Sequence, residues 1–212
     1  MKSLAALLVA LLATGGNALA HRLDEYLQAT RVFFARDRLA IEVDLTPGVI
    51  IAPNIIAMLD TNGDGAIARD EANGYGRAML SDLRVSLDGR QIGMTLEGID
   101  MPALEEMRNG TGTIRLRAAG RVEVGAGRHR VELVNHHQPE MSVYMVNALV
   151  PDDSGIDVVS QNRDPRQREF RVEYDVTSEW LGLVMLLGMG TAGIVAVTSR
   201  RARNEKRITK NE

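Results

Sequence analysis

Leu39-Ala40-Ile41-Glu42-Val43-Asp44-Leu45 decides the fold class of this chain. Leu39, Ile41, Val43 and Leu45 fall on one side of an extended backbone, with Ala40, Glu42 and Asp44 on the other. That period of two marks a half-buried β-strand. Working outward, a second strand-like run covers Tyr26 to Phe34. The polar stretch Ala35-Arg36-Asp37-Arg38 separates the two runs and predicts a hairpin. Thr46-Pro47-Gly48 stops the strand on its far side. Further runs follow at Leu83 to Leu87 and Gln91 to Leu96, bracketing Asp88-Gly89, a favoured hairpin dipeptide. Thr113 to Arg117, His129 to Val134, Ser142 to Val150, Ile156 to Ser160 and Glu169 to Val176 complete the series. Short strands with frequent Gly and Asp turns predict a mainly β chain, an antiparallel β-sandwich.

Residues 49–83 break the strand pattern and read as an insertion. A short helix is expected to begin with Pro53 in its first turn and to end at Leu59. Asp60-Thr61-Asn62-Gly63-Asp64-Gly65-Ala66-Ile67-Ala68-Arg69-Asp70-Glu71 follows, a twelve-residue loop with each chelating position of an EF-hand filled. Asp60, Asn62 and Asp64 supply short oxygen-bearing side chains at positions 1, 3 and 5, and Gly65 takes the sharp turn at position 6. Ala66 offers its carbonyl at position 7, Ala68 leaves position 9 to water, and Glu71 closes the shell with a bidentate carboxylate. Ile67 is the inward apolar residue of such a loop. A Gly-, Asp- and Asn-rich surface turn is the plain alternative, and it requires none of these coincidences. Beyond the loop, Ala72, Tyr75, Met79 and Leu83 recur at helical spacing, while Gly74 and Gly76 weaken that helix. The reading is an EF-hand-like helix–loop–helix with Ca²⁺ as its ion.

Both ends of the chain carry topogenic signals. Lys2, the apolar run Leu4 to Ala13 and Ala18-Leu19-Ala20 form the three parts of a signal peptide over residues 1–20. A retained anchor is the alternative, but the apolar run is short for a span. Trp180 to Ser199 is uncharged, and its length at about 1.5 Å per residue matches the hydrocarbon thickness. Arg200, Arg201, Arg203, Lys206, Arg207 and Lys210 follow at once and predict a cytoplasmic tail over 200–212. Residues 21–179 then form an exported domain on a single-pass membrane protein. Gly188, Ala192 and Ala196 make a small-residue ridge suited to a homodimer or a membrane-protein partner. Small residues are also common in membrane helices, so the ridge equally fits an ordinary span.

The net charge of −3 conceals an asymmetry: from His21 to Glu179 there are 26 acidic and 18 basic residues, all of the latter Arg. An acidic domain disfavours nucleic acid and suits cations. The chain has no cysteine, so an apolar core rather than disulfides must hold the exported part.

Several stretches resemble a bacterial exported domain of uncharacterised role. They are His21-Arg22-Leu23-Asp24-Glu25-Tyr26-Leu27-Gln28-Ala29-Thr30, Asp44-Leu45-Thr46-Pro47-Gly48, the Asp60 loop, and Asn135-His136-His137-Gln138-Pro139 running into Val146-Asn147-Ala148-Leu149-Val150-Pro151. In relatives this domain precedes a multi-span region similar to the HupE/UreJ hydrogenase and urease accessory proteins, which are implicated in nickel handling. The resemblance covers most of His21 to Val176. The chain departs from the multi-span form in having one expected span, so nickel transport is not carried over. What the resemblance implies is a stand-alone sensor or a partner subunit.

A second metal reading starts from His21, which becomes the mature N-terminus if cleavage follows Ala20. Its α-amine and ring together suit copper or nickel, with His136, His137 and the softer Met141 as candidate partners. Adjacent histidines on a strand point to opposite faces, and the pair could equally cap a strand. No Gly-x-Ser-x-Gly elbow, His-Glu-x-x-His, phosphate loop or cysteine nucleophile is present. The paired acids Glu105-Glu106 and Asp152-Asp153 read as solvated surface. Three functional readings stand: a calcium-binding structural, sensory or partner-binding domain, a transition-metal accessory protein, and a calcium-stabilised enzyme.

Overall fold

A computed structural model describes residues 24–178. The expected signal peptide, His21, residues 180–199 with their small-residue ridge, and the basic tail lie outside the described residues. No helix among the described residues is long and apolar enough to cross a membrane.

Residues 39–45 lie in strand β2 (Arg38–Pro47), paired antiparallel with β1 (Tyr26–Phe34). Leu39, Ile41, Val43 and Leu45 are buried, as the alternation requires. Glu42 and Asp44 point outward and meet Arg31 of β1 at 3.1 and 2.9 Å. Strands β3 (Leu83–Leu87), β4 (Arg90–Gln91), β5 (Thr95–Asp100), β6 (Ile114–Arg121), β7 (Gly127–Asn135), β8 (Ser142–Ala148), β9 (Ile156–Arg163) and β10 (Glu169–Val176) complete two five-stranded sheets. Their orders are β5-β6-β2-β1-β8 and β4-β3-β7-β10-β9. Inward residues of both sheets share one apolar core, in which the Phe34 and Tyr174 rings meet at a tilt, 4.7 Å between centroids.

Three details depart from the sequence expectation. β8 pairs with β1 in parallel, so the first sheet is mixed rather than wholly antiparallel. The chain between them visits the other sheet before returning, which a two-residue turn cannot do. The expected strand Gln91 to Leu96 is divided: the Asp88-Gly89 turn forms, with φ of 50° and 79°, but β4 stops at Gln91. The chain then crosses over, and Thr95 onward joins β6 in the other sheet. Finally, the exit helix ends at Ser81, so its helical face stops short of Leu83, which opens β3 as the strand run Leu83 to Leu87 predicts.

The outer edge of β8 is blunted from the opposite sheet. Gln161 bonds both to the Ala148 N–H (3.1 Å) and to its carbonyl (3.2 Å). Arg163 Nε donates to the Val146 carbonyl at 2.6 Å. Side chains thereby occupy backbone groups that would otherwise template a foreign strand.

Between β2 and β3 the chain forms helix α1 (Ala52–Leu59) and helix α2 (Arg69–Ser81), joined by residues 60–68. Pro53 sits in the first turn of α1, and Ile55 and Leu59 are buried. α2 buries Ala72, Tyr75, Gly76, Met79 and Leu80. Gly76 has a packing reason: a Cβ there would stand 3.0 Å from the Leu96 Cδ2 of β5. A short helix α3 (Leu104–Arg108), absent from the sequence reading, plugs the body with Met107. The register places the helix pair at the end of the sheets where β2 finishes, β7 finishes and β3 begins. β10 terminates at the other end, where Val176 lies opposite Gly127 and Ile156. There Arg36 of the β1–β2 turn donates to Asp153 (2.8 Å) and to the Thr177 carbonyl (3.0 Å).

Candidate functional site

The loop is built by its own side chains. Asp60 accepts from the amides of Asp64 (3.1 Å) and Gly65 (2.9 Å), one on each carboxylate oxygen. Asn62 Oδ1 accepts from the Asp64 amide at 2.8 Å, and Asp64 Oδ1 from the Ala66 amide at 2.9 Å. Such side-chain-to-backbone bonds are the local alternative that Asp and Asn offer to helix or sheet. Gly63 and Gly65 have φ of 72° and 80°, a left-handed conformation costly for other residues.

Glu71 closes this ring from the first turn of α2. Its Oε1 accepts from the Thr61 amide (2.8 Å), the Thr61 hydroxyl (2.8 Å) and the Asn62 amide (3.2 Å). Its Oε2 accepts from the Ala68 amide at 2.9 Å, the backward reach of an N3 glutamate to an N-cap. The Ala68 amide, then the Thr61 hydroxyl and the remaining donors, hold this exposed carboxyl below the usual range.

The donor set is hard oxygen throughout, which suits Ca²⁺ and excludes a soft metal. Each carboxylate oxygen has two lone pairs, so one amide bond does not exhaust Asp60. Among the described residues, however, no three His, Asp or Glu side chains converge as a finished cage. Glu71 faces the loop amides, and ligation would require it to exchange some of those bonds for a cation. The residues thus fit calcium in kind and in order along the loop.

Behind α2 lies a second polar assembly that the sequence reading did not identify. His137 is 3% exposed, with Nδ1 2.8 Å from Asp82 Oδ2 and Nε2 3.0 Å from the Tyr75 hydroxyl. Tyr75 in turn meets the hydroxyl of the fully buried Tyr26 at 2.6 Å. A carboxylate only accepts, so Nδ1 carries the proton; Nε2 then accepts from Tyr75, and Tyr75 from Tyr26. Burial lowers the His137 pKa, only partly offset by Asp82. Burial also pushes Tyr75 up to about 12 and Tyr26 well above the usual phenol value. The chain is therefore neutral along its buried part and runs one way.

The His137 backbone is fixed as firmly. Its carbonyl accepts from Gln28 Nε2 and the Tyr144 hydroxyl, each at 2.9 Å, and its amide donates to Asn135 Oδ1 at 2.8 Å. Asn135 Nδ2 donates to Gln28 Oε1 at 2.9 Å. Gln28 and Thr30 occupy inward positions of β1, and those two polar residues in an apolar alternation were the available signal. The first and last of the resemblance motifs, through Gln28 and through Asn135 and His137, meet here.

The remaining candidates are dispersed. His136 is exposed while His137 is buried, both lying just past the end of β7 rather than on a strand, and both His137 ring nitrogens are engaged within the fold. Met141 is partly buried against the core. Glu105 and Glu106 are exposed on α3, and Asp153 is paired with Arg36. A cleft of about 560 Å³ runs between the loop and the buried chain, lined by Thr61, Glu71, Tyr75, Asp82 and His137. Larger clefts, along α2 against β5 and along the β4 edge, contain none of the predicted site residues.

No family model matches this chain, and no curated protein is similar to it.

Proposed function

We propose that residues 60–71 bind Ca²⁺, and that the domain is an exported, membrane-anchored calcium-binding module with a structural, sensory or partner-binding role. The carrying observation is the closure of the loop by Glu71, which reaches from α2 to the amides of Thr61, Asn62 and Ala68. Asp60, Asn62, Asp64, the Ala66 carbonyl and Glu71 would hold the ion. Export and the single span over residues 180–199 rest on the sequence signals at the two ends.

The ion acts as a staple in this reading more than as a switch. Sensor EF-hands open a helix pair to expose an apolar groove. Here α2 is fastened to the sheets by Tyr75 and Asp82 through His137, and α1 buries Ile55 and Leu59. A large change of angle would break the buried chain. Three carboxylates and one EF-hand-like loop suit the weak range of extracellular modules, Kd on the order of 10⁻⁴ to 10⁻³ M.

Calorimetric titration of the full chain in detergent tests the assignment. Wild type is expected to bind one Ca²⁺ per chain, and Glu71→Gln to lose most of that binding. An unchanged titration in the variant overturns the site. Calcium should raise the melting temperature while hydrophobic-dye binding stays flat. Strong calcium-dependent dye binding without a melting shift would instead establish a switch.

A further inference from the structure

The chain contains three Asn-Gly steps, at Asn62-Gly63, Asn73-Gly74 and Asn109-Gly110. Asn-Gly is chemically labile because the glycine nitrogen, unshielded by a side chain, can attack the preceding amide carbon. The fold treats the three differently. Gly74 lies within α2, where its N–H is committed to the carbonyl four residues back. The Gly110 N–H donates to the Met107 carbonyl at 3.0 Å, and a Cβ at Gly110 would sit 3.0 Å from Val49 Cγ2. Gly63 is neither helical nor in a strand, its N–H makes no hydrogen bond among the described residues, and the space around it is open. Asn62 is exposed; its Oδ1 accepts from the Asp64 amide at 2.8 Å and its Nδ2 donates to Asp64 Oδ2 at 3.1 Å. The ring closed by that bond contains both the Asn62 Cγ and the Gly63 nitrogen, so the side chain is folded back over its attacker.

We infer that Asn62 is a self-modification site, whose deamidation adds a carboxylate to the loop and retunes its affinity for divalent cations. The Gly63 nitrogen forms a bond to Asn62 Cγ, the Cγ–Nδ2 bond breaks, and ammonia leaves with the proton from Gly63. The five-membered imide that remains is opened by one water. Cleavage at the side-chain carbonyl gives aspartate at position 62, and cleavage at the main-chain carbonyl gives isoaspartate, with the backbone rerouted through Cβ. The two products act oppositely. Aspartate brings a fourth charged ligand to the loop, and ligand charge is one lever that sets calcium affinity. Isoaspartate lengthens the main chain and breaks the twelve-residue spacing. The modification itself is independent of the calcium assignment, whereas its effect on affinity rests on that assignment.

The test is a time course of the full chain in detergent, at mildly alkaline pH without calcium, followed by peptide mass spectrometry at all three steps. Asn62 is expected to convert about tenfold faster than Asn73 or Asn109, the rate equivalent of one hydrogen bond that must first open. Equal or faster conversion at either of the others overturns the inference. So does an intact Asn62 after a time in which the free peptide of residues 58–67 has converted. In titrations, Asn62→Asp should bind calcium more tightly, by about tenfold. Added calcium should slow conversion at Asn62 in wild type and leave it unchanged in Glu71→Gln. Fast conversion at Asn62 that calcium does not slow keeps the modification site and removes calcium from the loop.

Discussion

Two polar assemblies flank helix α2, and they solve opposite problems. At its N-terminus, loop 60–71 is exposed, and its side chains bond mainly to neighbouring amides. Along its inner face and at its C-terminal end, Tyr75 and Asp82 join His137 and Tyr26 in a chain whose interior members are shut off from water. Exposed oxygens can wait for a cation, because water serves until one arrives. Buried donors and acceptors must be satisfied within the protein. The first assembly is open to a ligand, and the second is complete without one.

The largest expected effect falls on the closed assembly. His137→Ala removes the link between α2 and the sheets, strands the buried Tyr75 hydroxyl and leaves a void. A loss of stability on the order of 3 kcal/mol is expected, read by chemical denaturation. Tyr75→Phe keeps the ring and removes only the hydroxyl, so about 1–2 kcal/mol should be lost. If both variants unfold like wild type, the buried chain has no structural weight and the contrast between the assemblies collapses.

Two histidines respond to pH in opposite senses. His137 has one nitrogen accepting and is held neutral, so its pKa is lowered by burial despite Asp82. The unfolded chain then binds the proton more readily. Its contribution is fully present above the unfolded imidazole value, about 6.5, and is lost as pH falls. His129 faces Asp88 (2.8 Å) and the Gly125 carbonyl (3.0 Å), two acceptors that ask for both ring protons. Burial opposes the charge there, but those partners outweigh it and raise the pKa. That contribution is present below about 6.5 and is lost as pH rises through the folded-state value. His137→Gln should flatten the limb below the unfolded imidazole value in a stability–pH profile, and His129→Gln the limb above it. The same limb responding to both changes would refute the assignment.

The smallest effect separates two glycines on α2. A Cβ at Gly74 meets open space, so Gly74→Ala should stabilise by about 0.5–1 kcal/mol through helix propensity alone. At Gly76 the same change drives a methyl to 3.0 Å from Leu96, so the gain should shrink or reverse. Thermal melts of the two variants report the difference.

The strands and the loop were legible because each obeys a local rule. Period-two burial identified β2, and the Asp-, Asn- and Gly-rich spacing after Leu59 marked the turn that joins α1 to α2. The parallel β1–β8 pair was not legible, because it depends on partners more than a hundred residues apart. The division at Gln91 to Leu96 escaped for the same reason, since sheet membership is a tertiary choice. The buried chain was missed because Tyr26 and Tyr75 look apolar in a pattern, while His137 looked like a ligand. Only their convergence shows that the ring nitrogens are already spoken for.

The register sets the helix pair and the last strand end at opposite poles of the sheets. β1 alone runs nine residues between those poles, about 30 Å at strand rise. Loop 60–71 therefore lies several Debye lengths, each about 8 Å at physiological ionic strength, from the end of β10. Charges at the β10 end, the Arg36–Asp153 pair among them, are screened from the loop over that span, so the two poles of the domain are electrostatically independent.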